Sequence, residues 1–113
     1  MTESIDFTSS KTGTILIVDD NETIRFFYKE FFKDFSVRIL EAENGKDALE
    51  ITRKIHPNLI LMDLTMPVMD GFETVKVIKS DKHIKNIPVI AQSACFREVS
   101  KDWLKSHGFV SYF

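Results

Sequence analysis

Residues 59–73 read LILMDLTMPVMDGFE: an apolar run of strand length ends in one aspartate, Asp63, and passes at once into Met-Pro and Asp-Gly. Met-Pro and Asp-Gly are turn signals, so the aspartate stands at the exit of a buried strand. Burying a carboxylate costs several kcal/mol unless it is paired, hydrogen-bonded or bound to a metal. Asp63 therefore either caps a local turn or is held there for chemistry. The rest of the chain has to supply the other members of a site.

Working outward, strand and helix patterns alternate. TILIV (14–18) and VRILEA (37–42) read as strands, NLILMD (58–63) as the third, IPVIAQS (87–93) as the fourth and FVSYF (109–113) as the fifth. Between them lie helix-period segments. The first puts Ile24, Phe27, Tyr28, Phe31, Phe32 and Phe35 on one face, read as core. The second opens at Asn44 and Gly45, with an apolar face of Ala48, Leu49, Ile51 and Ile55, and ends before Pro57. GFETVKVIKS (71–80) and REVSKDWLKSHG (97–108) are the third and fourth, the last stopped by Gly108. This rhythm predicts an α/β domain with a parallel sheet and helices on both faces. Ligands of such sheets bind beyond the carboxyl ends of the strands. Those ends carry Asp19 and Asp20, Asp63, and Ser93.

Composition narrows the functional classes. A chain of 113 residues is one domain, and a hydrophobic content of 43% supports a core. The net charge of −2 gives no electrostatic basis for nucleic-acid binding. A single cysteine, Cys95, excludes an internal disulfide and suits a reducing, cytoplasmic compartment. No apolar run approaches the roughly 20 residues of a membrane span. MTESIDFTSSKTG (1–13) reads as a polar leader rather than a signal peptide. His56, His83 and His107 fall at helix ends or in loops and are expected in solvent.

Three carboxylates in one crevice repel, each pair at 4 Å by up to about 4 kcal/mol at an intermediate dielectric. Protonating one or binding a cation relieves this. Oxygen ligands favour Mg2+, Mn2+ or Ca2+ over zinc. A carboxylate beside such an ion can attack phosphorus and form an aspartyl phosphate, with Ser93 donating to a phosphoryl oxygen. Each feature alone has an ordinary reading: an Asp-Asp pair is commonly a helix-cap region, and Met-Pro with Asp-Gly is first of all a turn. Together, at the ends of three strands of one α/β pattern, the chemical reading is the better one.

These segments resemble the receiver domain of the two-component response-regulator family. ILIVDDNETIR resembles its acidic-pair segment, and LILMDLTMPVMDGFE is similar to its phosphoacceptor segment almost residue for residue. IPVIAQSA and GFVSYF resemble the fourth strand and the start of the fifth. The resemblance covers about residues 14–113 and implies a flavodoxin-like open parallel sheet of order 2-1-3-4-5. It implies that Asp63 accepts the phosphoryl group, and that Asp20, Asp63 and the Thr65 backbone carbonyl bind Mg2+ (or Mn2+) directly, with Asp19 acting through water. Ser93 matches the switch hydroxyl and Tyr112 the switch aromatic. Thr65 and Cys95 match positions that tune self-dephosphorylation. The implied donor is a histidine kinase or histidine phosphotransfer protein. The implied role is a phosphoacceptor without enzymatic turnover beyond slow self-dephosphorylation.

One departure stands out. The family places a Lys three residues past the switch aromatic, which here falls beyond Phe113, and a final helix after it. The expected domain is thus incomplete at its C-terminal end, which leaves Phe109 or Phe113 and part of the first helix in water and invites self-association through that edge. A degenerate receiver acting as an interaction module is the alternative. A turnover phosphatase is disfavoured because Thr65 stands where such enzymes carry a second acid.

Overall fold

The computed structural model describes residues 13–66, 68–92 and 101–112. The chain runs β1 (Thr14–Val18), α1 (Glu22–Phe32), β2 (Arg38–Ala42), α2 (Gly45–Ile55), β3 (Leu59–Asp63), α3 (Gly71–Ser80), β4 (Val89–Gln92), α4 (Lys101–Ser106) and β5 (Ser111–Tyr112). All five strands are parallel, in the order β2-β1-β3-β4-β5. The order reverses at β1, flanked by β2 and β3, and this opens a crevice at the carboxyl ends of β1 and β3. The polar leader expected over 1–13 lies, Gly13 apart, outside the described residues.

Side chains of β1 alternate between the two faces, as a pleated strand requires. Leu16 and Val18 pack with Ile60, Met62, Val89 and Ala91 under residues of α2, α3 and α4. Ile15, Ile17 and Leu61 face the other way, against Tyr28 of α1. The continuous apolar runs of β1 and β3 follow from this burial on both faces.

Each of the three longer helices starts on a side-chain cap. Asn21 accepts from the Thr23 and Ile24 amides, and Asn44 accepts from the Asp47 amide. Asp70 and Glu73 form a reciprocal capping box at α3. The Asp-Gly of the opening stretch is thus a helix start as well as a turn. Gly71 is required by close approach: its amide donates to the Leu64 carbonyl at 3.3 Å, and a Cβ there would run into the Asp63 carbonyl oxygen.

Three expectations need correction. The aromatic face of α1 is not all core, and part of it lies in water, as was also expected. Tyr28 is buried and Ile24 and Phe32 are half-buried, but Phe27, Phe31 and Phe35 are exposed, and Phe35 lies past the end of the helix. The buried line is set by what lies opposite, and the sheet covers only the 24-28-32 row. On α2, Ile55 is exposed in the last turn, while Thr52 is buried instead. Of Phe109 and Phe113, one or other of which was expected partly in water, Phe109 is 1% exposed, and Phe113 lies outside the described residues. The Phe109 amide donates to the Leu104 carbonyl at 3.0 Å, and its ring lies 5.9 Å from that of Phe72, edge to face. Gly108, at φ +99°, makes the turn that sends this ring inward against α3. The three histidines are exposed, as expected.

This assignment separates two phenylalanines that look alike in sequence. Phe109→Ala should cost about 3–5 kcal/mol of stability. Phe26→Ala, at an exposed position, should stay within about 0.5 kcal/mol of the parent. Urea denaturation of both variants checks the contrast, and equal losses would contradict it.

Candidate functional site

The carboxyl ends of β1 and β3 deliver Asp19, Asp20 and Asp63 to one place. One oxygen of each carboxylate lies within 4.8 Å of those of the other two. The parallel register explains this: Val18 pairs with Met62, so the residues that follow on both strands emerge side by side. Because Asn21 takes the N-cap of α1, neither Asp19 nor Asp20 is used to start that helix. The ordinary reading of the Asp-Asp pair as a cap therefore does not hold.

The three acids have different surroundings. Asp19 is the buried one, at 4% exposure. Its Oδ1 accepts from the Asn21 amide at 2.8 Å and its Oδ2 from the Gln92 side-chain amide at 2.7 Å. Asp20 is exposed, and its carboxylate accepts no hydrogen bond among the described residues. Asp63 is half-buried and accepts from the Thr65 amide at 3.2 Å. Burial, reinforced by the charges of Asp19 and Asp20, pushes the Asp63 carboxyl up from 3.8 to about 6, against the opposing pull of the Thr65 and Leu64 amides.

Nearby cations do not relieve this. Arg25 reaches Asp19, but its Nη1 donates to the Asp19 backbone carbonyl at 2.7 Å and its Nε to Glu41 at 2.9 Å. Lys29 also pairs with Glu41, at 3.0 Å. Burial alone would raise the Glu41 carboxyl, but these two cations hold it below its usual value. The carboxylate triad has no Lys or Arg partner among the described residues. A donor set of carboxylate oxygens at this spacing, with surplus negative charge and one unengaged member, fits a hard divalent cation.

The other expected residues are placed only in part. Thr65 is exposed on the β3–α3 loop, and its amide supports Asp63. That loop also holds Val68 at φ 70°, a strained conformation for a β-branched residue. Tyr112 lies in β5 opposite Ala91 of β4. Its side chain, together with Ser93 and Cys95, lies outside the described residues.

Arg25 and Gln92 were missed. Arg25 lies three residues before Tyr28 and seven before Phe32, within the line that meets the sheet, and a basic residue there is a signal of a buried polar anchor. Gln92 pairs in register with Asp63, at the buried end of β4. A polar residue in place of the next Val or Ile of a strand core was its only mark.

The sequence matches the family model of the response regulator receiver domain over residues 15–111. A polar-differentiation response regulator, DivK, of Brucella ovis is 31% identical over 101 residues, covering 89% of this chain and 82% of that protein. Among solved structures, the N-terminal domain of a response regulator receiver protein from Methanoculleus marisnigri is similar with a TM-score of 0.82 at 28% identity, over 91% of this chain and 84% of that one. The Vibrio cholerae chemotaxis protein CheY4 gives 0.78 at 27% identity, over 90% and 85%.

The raised Asp63 carboxyl has a consequence for stability. The folded state holds this proton more tightly than the unfolded chain, so the contribution to stability is complete below about pH 4 and is lost as the pH rises through about 6. In EDTA, thermal melts of the parent and of Asp63→Asn should converge near pH 4 and separate above pH 6, with the variant the more stable. A gap that does not change with pH would contradict the placement of the charge.

Proposed function

The chain belongs to the response regulator receiver domain family, a module of two-component systems, and from that premise we propose that it accepts a phosphoryl group on Asp63 and so alters its interaction surface. The observation that carries this reading is the half-buried Asp63 carboxylate at the end of β3, facing Asp19 and Asp20 with no basic partner among the described residues. An Asp63 oxygen forms the new O–P bond as the P–N bond of a phosphohistidine donor breaks. The electron pair leaves with the donor imidazole, which then takes up a proton. The donor class is a histidine kinase or a histidine phosphotransfer protein.

Asp20, Asp63 and the Thr65 carbonyl would hold Mg2+ or Mn2+. Asp19, with both oxygens already accepting hydrogen bonds, would take part through water. The ion supplies positive charge that offsets the triad and the phosphoryl oxygens. The chain's own residues do the rest. The Gln92 amide fixes the Asp19 carboxylate, Arg25 fixes its carbonyl, and the Thr65 amide orients Asp63. Ser93 and Tyr112 are the proposed switch pair, and Thr65 and Cys95 set the rate at which water removes the phosphoryl group. The module is a phosphoacceptor rather than a turnover enzyme. No helix of the described chain is long and apolar enough to cross a membrane.

Incubation with a small acyl-phosphate donor and Mg2+ should add one hydroxylamine-labile phosphoryl group, and Asp63→Asn should abolish it. Labelling that persists in the variant would overturn the assignment. Mg2+ at 100 times its dissociation constant should stabilise the fold by about 2.7 kcal/mol. Asp20→Ala should weaken this effect more than Asp19→Ala, as read by thermal melts over a Mg2+ titration. Melts identical in Mg2+ and EDTA would argue against the cation site.

A further inference from the structure

Gln92 is the last residue of β4, a strand otherwise made of Val89, Ile90 and Ala91. It is only 7% exposed, and a buried amide costs free energy unless its polar atoms are matched. Its register partner is Asp63 of β3. The hydrogen bond from its Nε2 nevertheless goes one strand further, to Asp19 Oδ2 at 2.7 Å, past the end of β1.

The other Asp19 oxygen, Oδ1, accepts from the Asn21 amide at 2.8 Å. Both oxygens of this buried carboxylate are thus held by neutral donors. Arg25, the cation that reaches this segment, meets the Asp19 backbone carbonyl instead. The distinction matters for a cation site. A lysine or arginine on the carboxylate would offset the charge that attracts a metal ion. A neutral amide fixes the side chain and leaves its charge in place. Swinging Asp19 inward to ligate an ion would stretch or break the Gln92 bond. Asp20, exposed on the same loop, carries no such restraint among the described residues.

On the premise of the cation site set out above, we propose that Gln92 determines which divalent cation that site prefers, by restraining Asp19 from direct ligation. Mg2+ is small, keeps several waters and is usually bound through one or two carboxylates. Ca2+ takes roughly six to eight oxygens and gains from each further carboxylate. Three carboxylates with one tied back supply the first set and withhold the second. Selection of the ion then rests on how many acids are free to move onto it, and Gln92 sets that number.

Dissociation constants for Mg2+ and Ca2+, taken from amide-shift titrations by NMR at constant pH and ionic strength, test this. Gln92→Met removes the donor at nearly the same side-chain volume. The ratio of the Ca2+ to the Mg2+ dissociation constant should fall by about tenfold, the lower end of the usual effect of removing a partner from a metal-site residue. A merely structural loss would weaken both ions alike and leave the ratio where it was. In an Asp19→Asn background, which has no third carboxylate to recruit, Gln92→Met should not change the ratio. Should Gln92→Met fail to fold, as read by its thermal melt in EDTA, Gln92→Asn, whose amide is one carbon too short to reach Asp19, reads the same ratio. A parent chain that binds neither ion would overturn the cation site itself and this inference with it. A parent that binds Mg2+, with a ratio that the Gln92 variant does not move or moves equally in the Asp19→Asn background, overturns the role of Gln92 and leaves the cation site standing.

Discussion

Three carboxylate oxygens within 4.8 Å of one another, with no basic side chain on them among the described residues, are the constraint around which this molecule is arranged. Placing like charges this close is unfavourable, and partial burial of Asp63 makes it more so. The surroundings hold the geometry rather than neutralise it. Asn21 takes over the capping of α1, Gln92 binds the buried Asp19, and Arg25 spends its charge on Glu41 while steadying the Asp19 backbone. The unrelieved charge is the physical basis of the proposed cation site.

The sheet makes this arrangement rigid. Parallel pairing of β1 with β3 fixes the relative height of Val18 and Met62, and pairing of β3 with β4 sets Gln92 opposite Asp63. Both strands are buried on each face, so a slip by one residue would turn their apolar side chains to the wrong side. Gly71 lets α3 begin directly against the end of β3, which shortens the path from Asp63 to a capped helix. The site thus stands on strand ends held from both sides, with Asp63, the proposed phosphoacceptor, half-buried beside the buried Asp19.

Much of this was legible in the sequence because it is periodic. Alternating strand and helix patterns, ending in acids at two successive odd strands, point to a parallel sheet and to the crevice at its carboxyl edge. Partners across space were not legible. Ile24, Tyr28 and Phe32, and Phe27 and Phe31 beside them, both have helical spacing on α1, and what lies opposite decides which of them is covered. Phe109 looked like an edge residue, yet the positive φ of Gly108 turns it into the core. Arg25 and Gln92 carry no local signature that distinguishes an anchor from a surface polar residue. Their roles depend on contacts made 16 and 73 residues away in sequence.

The most direct test of the account is the titration of the Asp63 carboxyl followed by carbon NMR, with and without Mg2+. In EDTA the carboxyl should titrate near pH 6, as burial and the two neighbouring charges require, and added Mg2+ should move that titration to lower pH. A carboxyl that titrates near its ordinary value of 3.8 and does not respond to Mg2+ would mean that the three acids do not act on one another, and the site would lose its physical basis.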